Sequence, residues 1–398
     1  MSDDFLPYGR HSLDEDDIAA VVEVLRHGAL TCGPQVEKLE KAFAASIGCK
    51  HAIVTSNGTT ALHLAVLAAG IGPGDTVIVP TVTFLSTANV VHMVGGTVQF
   101  ADVCPETGLL TAETFASALT KCAGPVKAVM PVHLTGQACD MAGISKIAAA
   151  NNISIISDCC HALGADYQGG GAPGDGQYEI MGCFSLHPVK SIAMGEGGVV
   201  TTNDAKLAEK INRLRSHDMH KDPAHFSRHD LAFDAEGQAN PWYYEMQELG
   251  YNYRATDFQC ALANSQLKKL PVFVERRRYL AGVYDELLAT HSNLVRPNVR
   301  LPDSLSAWHL YAVQIDFKAL GKSRAAVMKA LAAKGIGTQV HYIPVHEQPY
   351  YQKSYGKQSL PGGDKYYQET LSLPLFPAME DSDPERVVRL LTEILSAT

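Results

Sequence analysis

The sequence predicts an α/β protein: a large domain with a largely parallel sheet between helices over residues 1–256, then a smaller α+β domain over residues 257–398. Three observations predict it. Through the first half, short apolar runs rich in β-branched residues alternate with helix-like segments, the pattern of strands joined by helical crossovers. From about Asp257 the text turns helical around one alternating stretch, which reads as helices on one face of a short sheet. The chain has 398 residues, and roughly 150 residues per domain allows two such units with cores that need no disulfide or metal.

Taken in order, Ser12 and Glu15 are spaced as a capping box, and Ile18, Val21, Val22 and Leu25 follow at helical spacing up to Gly28. A second helix is predicted over 36–47, with Gly48 as its terminating glycine. Strands are predicted at 76–79, 128–132, 153–156 and 198–202. The polar, aperiodic stretch 220–239 reads as a surface loop. Beyond it come helices over 259–270 and 272–288, an alternating strand within 310–317 and a helix over 324–334. A strand near Val340 and a last helix from Pro384 complete the series.

Composition removes several classes of function. Lys and Arg number 33 against 42 Asp and Glu, a net charge of −9, and no basic run exceeds Arg276-Arg277-Arg278, so there is no footprint for nucleic acid. The most apolar stretch, 61–71, contains His63 and ends among glycines, well short of the roughly 20 residues that cross a bilayer. Asp3 and Asp4 stand where an export signal is basic. Nine scattered cysteines without a CxxC pair indicate neither a disulfide framework nor a zinc ribbon. A protein of the reducing cytoplasm is the expectation.

Three motifs carry chemistry. SNGTT at 56–60 opens a helical run, and a glycine among hydroxylated residues at a helix start offers free N–H groups to a phosphate; it also serves as an ordinary N-cap. Asp158 ends an apolar strand within ISIISDCCHALG, where open α/β sheets bind ligands and a buried carboxylate needs a cation. Capping of the next helix by Asp158 and a core position for His161 stay open. Ser185 and Lys190 lie in SLHPVK ahead of the glycine-rich GEGG, an uncharged setting in which a lysine of lowered pKa forms a Schiff base. A phosphate cradle, a carboxylate and a nucleophilic lysine are together what pyridoxal 5′-phosphate demands.

Through SNGTTALHLA, DCCHALGA and SLHPVKSIAMGEGG, the chain resembles fold-type I aminotransferases of the nucleotide-sugar branch. The resemblance implies a mostly parallel seven-stranded sheet in the large domain and a cofactor that cycles between pyridoxal and pyridoxamine phosphate. It makes Lys190 the Schiff-base lysine and Asp158 the partner of the ring nitrogen. Gly58, Thr59 and Ser185 become phosphate ligands, and His161 stands beside the phenolic oxygen. Phe84 matches the aromatic stacked on the ring, though a core position is the plain alternative. Asn252, in GYNYR, matches a residue that reaches the neighbouring subunit's cofactor, which implies a homodimer. Cys159 and Cys160 depart from the alanines usual in the family, and Leu186 from an aromatic.

No stretch resembles the arginine motif that clamps a small α-keto acid. The His- and Tyr-rich segment 340–351 suits sugar hydroxyls and a pyrophosphate, or forms a Pro-rich surface turn. LPYG, LTCGP and WYYEMQELGYNYR are similar to the aminotransferases of pseudaminic acid synthesis. That similarity implies transfer from L-glutamate to C4 of a UDP-linked 2-acetamido-2,6-dideoxy-4-keto-hexose. It places Tyr8, Thr31, Cys32, Gly33, His309, Tyr311, His341 and Tyr342 around the substrate. The alternatives are a GDP- or dTDP-linked ketosugar, a dehydratase, disfavoured because that relative carries His where Lys190 stands, and a non-catalytic cofactor-binding regulator.

Overall fold

The computed structural model describes residues 5–291 and 293–397; residues 1–4, with the two aspartates read against an export signal, lie outside them. At its centre is a seven-stranded sheet in the order β1-β8-β7-β5-β4-β2-β3. The strands are β1 (His51–Thr55), β2 (Thr76–Pro80), β3 (Thr97–Ala101), β4 (Val126–Val129), β5 (Ser154–Asp158), β7 (Met181–Ser185) and β8 (Gly198–Thr202); β6 (Asp166–Tyr167) lies outside this sheet. The run β3-β2-β4-β5-β7 is parallel throughout, and β8 is antiparallel to both β7 and β1.

Both faces of this sheet are covered, which is why its strands read as unbroken apolar runs. Val77, Val79, Ala128, Ile156 and Val200 point into one core, with α3 (Gly58–Ala68), α4 (Leu85–Met93) and α7 (Ala205–Arg215) over them. Their neighbours Ile78, Val129 and Ile155 point the other way, beneath α5 (Ala112–Thr120) and α6 (Met141–Ala150). On that second side, Val54, Phe184 and Val199 pack with Leu39 and Phe43 of α2 (Pro34–Ile47). The switch of face at each successive residue is the pleat of the strand.

α1 (Glu15–His27) starts later than the Ser12/Glu15 spacing predicts. Asp14 is the N-cap, accepting from the N–H groups of Asp16 (3.0 Å) and Asp17 (3.2 Å), while Asp17 accepts from Asp14 N–H (3.1 Å). A carboxylate interacts with the helix dipole more strongly than a hydroxyl does, so the aspartate takes the cap. The 220–239 segment is mostly exposed and includes α8 (His229–Ala232); around it, β9 (Met219–His220) pairs with β10 (Glu245–Met246).

The two helices predicted over 259–288 are one, α9 (Asp257–Ala289), which runs through Pro271. Pro271 lies on the exposed side, while Leu270 and Val274 stay buried. The lost hydrogen bond is therefore on the side that water can serve. The rest of the chain builds a second sheet, β11-β13-β14, from β11 (Arg296–Pro297), β13 (Tyr311–Gln314) and β14 (Thr370–Leu373), while β12 (Ser304–Leu305) pairs with β6. Its core joins α9 to α10 (Arg324–Ala333) and α13 (Asp383–Ser396). α11 (Pro349–Tyr355) and α12 (Pro361–Glu369) lie between β13 and β14 in sequence, yet they contribute to the core around the first sheet. No strand forms near Val340; Gln339 makes a single bridge to Ser372.

Arg277 of α9 locks the connections together. It is 1% exposed, and its Nη1 donates to the carbonyls of Trp308 (3.1 Å), His309 (3.2 Å) and Leu375 (2.8 Å). Burial lowers its pKa to about 10, so it remains charged near neutral pH. Arg277→Met should leave these carbonyls buried without a donor and lower stability by at least about 3 kcal/mol, measurable as a shifted midpoint in urea denaturation.

Candidate active site

The carboxyl ends of β2, β4, β5 and β7 and the start of α3 meet at a cavity of about 920 Å³. Parallel strands deliver their loops to one edge of the sheet, so residues distant in sequence meet there. The segment 339–343 and Gln348 close the cavity from the far side.

At the start of α3, Asn57 caps the helix: its side chain accepts from Thr60 N–H (2.9 Å), and Thr60 Oγ1 accepts from Asn57 N–H (3.1 Å). The N–H groups of Gly58 and Thr59 have no hydrogen-bond partner among the described residues, and both residues line the cavity. A Cβ on Gly58 would stand 2.8 Å from Ser185 Cβ, so only glycine lets the hydroxyl of Ser185 approach this turn. A Cβ on Gly198 would strike the Asn57 carbonyl, so the first residue of β8 is bound to the same geometry. Two free N–H groups, a helix dipole and a serine hydroxyl form a fitting cradle for a phosphate.

Asp158 is the last residue of β5 and is 4% exposed. Its carboxylate accepts from Thr87 Oγ1 (2.7 Å) and Cys160 N–H (3.1 Å), and no Lys or Arg pairs with it among the described residues. A buried carboxylate facing a cavity without a fixed cation fits a ligand that brings positive charge. Lys190 follows β7 in a turn closed by its N–H to the His187 carbonyl (2.8 Å). Its Nζ lies 3.5 Å from His309 Nε2. Burial lowers the Lys190 pKa, against the opposing influence of Cys160 and Asp158.

Three histidines surround the lysine. His161 Nδ1 accepts from Thr135 N–H (3.3 Å), which leaves Nε2 as the protonated nitrogen toward Tyr342 Oη (3.1 Å). Its ring centroid is 4.3 Å from that of His309. His341 Nδ1 lies 2.8 Å from Ser372 Oγ. Burial, reinforced by the charge of Lys190, depresses all three, bringing His341 to about 3. They are neutral imidazoles at physiological pH.

The structure brings together at this cavity Gly58, Thr59, Phe84, Asp158, His161, Ser185, Lys190, Tyr8, His309, His341 and Tyr342. Phe84 is 54% exposed and its ring is 5.9 Å from that of Tyr342, so it is a wall of the cavity and not a core residue. Tyr311 is elsewhere: fully buried against Tyr284 (4.6 Å) and Trp308, it donates to Asp285 (2.7 Å) in the core of the second sheet. Thr31, Cys32 and Gly33 also stand apart, because Asp257 captures the N–H groups of Gly33 (2.8 Å) and Gln35 (2.9 Å) and pins that turn to α9. Asn252 is exposed and outside the cavity of its own chain. Sequence reasoning missed Thr87, Glu196, Gln339 and Gln348. Of these, Gln348 lies inside the His- and Tyr-rich segment already singled out, and Thr87 is one helical turn beyond Phe84.

Residues 11–392 match the DegT/DnrJ/EryC1/StrS aminotransferase family. The chain is 39% identical to the spore coat polysaccharide biosynthesis protein SpsC of Bacillus subtilis (strain 168), covering 98% of this chain and 97% of that relative. Among solved structures, PseC of Helicobacter pylori, an aminotransferase involved in pseudaminic acid biosynthesis, matches with a TM-score of 0.88 at 27% identity, covering 99% of this chain and 100% of the other. DesV of S. venezuelae, solved with a ketimine intermediate, matches with a TM-score of 0.84 at 29% identity over 99% of each chain.

A lysine of depressed pKa is an unusually reactive amine. Modification of Lys190 by a small amine-directed reagent, followed by peptide mass spectrometry, should reach half its maximal rate below pH 10.5, the ordinary lysine value. The cofactor-free protein should gain stability as pH rises from the lowered Lys190 pKa toward 10.5, because in that window the unfolded chain binds the extra proton. Lys190→Met should remove that slope.

Proposed function

The chain belongs to the DegT/DnrJ/EryC1/StrS aminotransferase family, and from that membership we propose that it transfers the amino group of L-glutamate to C4 of a UDP-linked 2-acetamido-2,6-dideoxy-4-keto-hexose. The observation that carries this substrate reading is the correspondence along the whole chain with the Helicobacter pylori enzyme of pseudaminic acid biosynthesis. The size of the cavity and its Tyr8, His309, His341 and Tyr342 wall support it, since neutral imidazoles and phenols donate to and accept from sugar hydroxyls.

The family works with pyridoxal phosphate, alternating with pyridoxamine phosphate. When bound, that cofactor supplies an aldehyde for a lysine amine and an electron-withdrawing ring for the carbon that carries the amino group. In this reading Gly58, Thr59 and Ser185 hold the phosphate. Asp158 would keep a proton on the ring nitrogen, Phe84 would stand against the ring, and His161 would serve the phenolic oxygen. Lys190 Nζ takes the proton that leaves the α-carbon of L-glutamate and, with the sugar bound, delivers one to its C4. Burial of Lys190 assists the first step, because a depressed pKa leaves more of the amine neutral. Asn252 belongs, in the same reading, to the cavity of a second copy in a cytoplasmic homodimer.

SpsC, whose name places it in spore coat polysaccharide biosynthesis, favours a second reading in which the acceptor is another nucleotide-linked ketosugar. Both readings meet in one experiment. The yellow protein should bleach when L-glutamate is added, and the bleached protein should aminate the UDP-linked 4-keto sugar in preference to GDP- and dTDP-linked ones, as read by product mass. A colour unchanged by any amino donor defeats transamination, and preference for another nucleotide selects the second reading. Lys190→Ala and Asp158→Asn should each lower turnover by about a thousandfold or more. Full activity in either would remove that residue from the mechanism.

A further inference from the structure

We propose that His346, Glu347 and Asp364 form a binding site for one divalent transition-metal ion, of which zinc is the fitting occupant. Among the described residues these are the one group of three His, Cys, Asp or Glu side chains whose ligand atoms all lie within 4.8 Å of one another.

The buried histidine makes the argument. His346 is 1% exposed, and its Nδ1 is fixed by Thr81 Oγ1 at 2.5 Å. Its Nε2 is buried and has no hydrogen-bond partner. Two carboxylate oxygens nevertheless stand beside it, Glu347 Oε1 at 3.2 Å and Asp364 Oδ1 at 3.6 Å. At such a distance an aligned Glu347 oxygen would accept a hydrogen bond. Glu347 Oε1 is misaligned for that bond and Asp364 Oδ1 is too distant for one, so two acceptors crowd a buried nitrogen that bonds to neither, as ligands of a shared ion would. Zinc holds imidazole nitrogen and carboxylate oxygen at about 2.0–2.2 Å, so the edges of its tetrahedron are about 3.3–3.6 Å. The two observed separations, 3.2 and 3.6 Å, lie at the ends of that range to within about 0.1 Å.

The surroundings resemble the outer shell of a metal site. Metal-bound imidazoles commonly donate their other N–H to an oxygen, here Thr81 Oγ1. Gln352 Nε2 donates to Glu347 Oε2 (3.0 Å), leaving Oε1 for the ion. Asp102 adds a third carboxylate at the start of α12, where it accepts from Gly362 (2.9 Å) and Gly363 (2.8 Å) N–H. No Lys or Arg forms an ion pair with Asp102, Glu347 or Asp364 among the described residues, so their negative charge lacks a fixed counter-charge. The Glu347 and Asp364 side chains are 44% and 38% exposed, which leaves an entry path and room for a water ligand. Nitrogen with two carboxylates favours zinc, cobalt or manganese over magnesium, which prefers oxygen and water.

Such an ion would fasten three segments: the exit of β2 at Thr81, the turn containing His346, and the first turn of α12. Thr81 also receives the Val345 N–H on its carbonyl (2.7 Å). Phe84 follows on one side and Gln348 on the other, so the ion would brace a wall of the cavity from outside it.

The test uses the cofactor-loaded full chain, stripped with a chelator and titrated with zinc by calorimetry and with cobalt by absorbance. One ion per chain is expected, with cobalt ligand-field bands that zinc displaces and a thermal midpoint that climbs with zinc concentration. Glu347→Gln and Asp364→Asn should each weaken zinc binding by more than about tenfold, with the colour of the bound cofactor unchanged. Absence of saturable binding in the wild-type protein overturns the site and leaves a histidine paired with carboxylates. Equal affinity in both variants also overturns it, placing any ion on other side chains. If a variant fails to fold, Gln352→Ala replaces it, with a smaller weakening expected and unaltered affinity counting against the site.

Discussion

At the carboxyl end of β5, Asp158 gives up its water without gaining a cation. Thr87 and a backbone N–H from Cys160 are its hydrogen-bond donors, and the rest of the balance is left to whatever enters the cavity. The sheet enforces this. Asp158 pairs with Cys183 in the parallel β5–β7 register, so Ser185 ends β7 two residues farther along and Lys190 falls in the turn beyond. A one-residue slip would turn Asp158 to the opposite face and bury it in the helix-covered core. The hydrophobic alternation that packs Ile155 and Ile156 into different cores therefore also aims the carboxylate.

The parts legible in the sequence are those whose chemistry is local. An aspartate ending an apolar strand, a glycine at a helix start and a lysine among glycines are each ordinary alone but telling in combination, and all three line the cavity. The parallel sheet is legible for the same reason, since strands covered on both sides leave continuous apolar text. What is illegible depends on distant partners. Nothing near Thr31 or Gly33 announces that Asp257 will hold their turn. Tyr311 and His309 sit two residues apart in the same aromatic stretch, yet one is stacked in the second core and the other faces Lys190. The Ser12 cap fails because Asp14, two residues on, takes the N–H groups of Asp16 and Asp17 and starts the helix after itself. The break at Pro271 fails because exposure of that one residue spares the helix on either side.

The far wall of the cavity is built by elements that have no strand-end chemistry of their own. His309 is held through Arg277, which reaches across from α9 to the carbonyls of 308, 309 and 375. His341 is held by Ser372 of β14. The second sheet thus fixes two imidazoles relative to a lysine that belongs to the first, and the 33-residue α9, packed against α1 and α2 at one end and α13 at the other, keeps the two sheets in register.

The electrostatics of that wall follow from its packing. Burial depresses His161, His309 and His341, and the charge of Lys190 depresses each of them further. The relation is reciprocal, because two cations in one dry cavity repel. Of Lys190 and these three histidines, only the lysine is left as a cation near neutral pH, and its own pKa is lowered. Neutral imidazoles do not compete with a cationic ligand for Asp158, and they remain able to act as both donors and acceptors. Charge recognition is thereby left to Asp158 and hydroxyl recognition to the imidazoles and phenols, a division that suits a cavity receiving both a protonated heterocycle and a sugar.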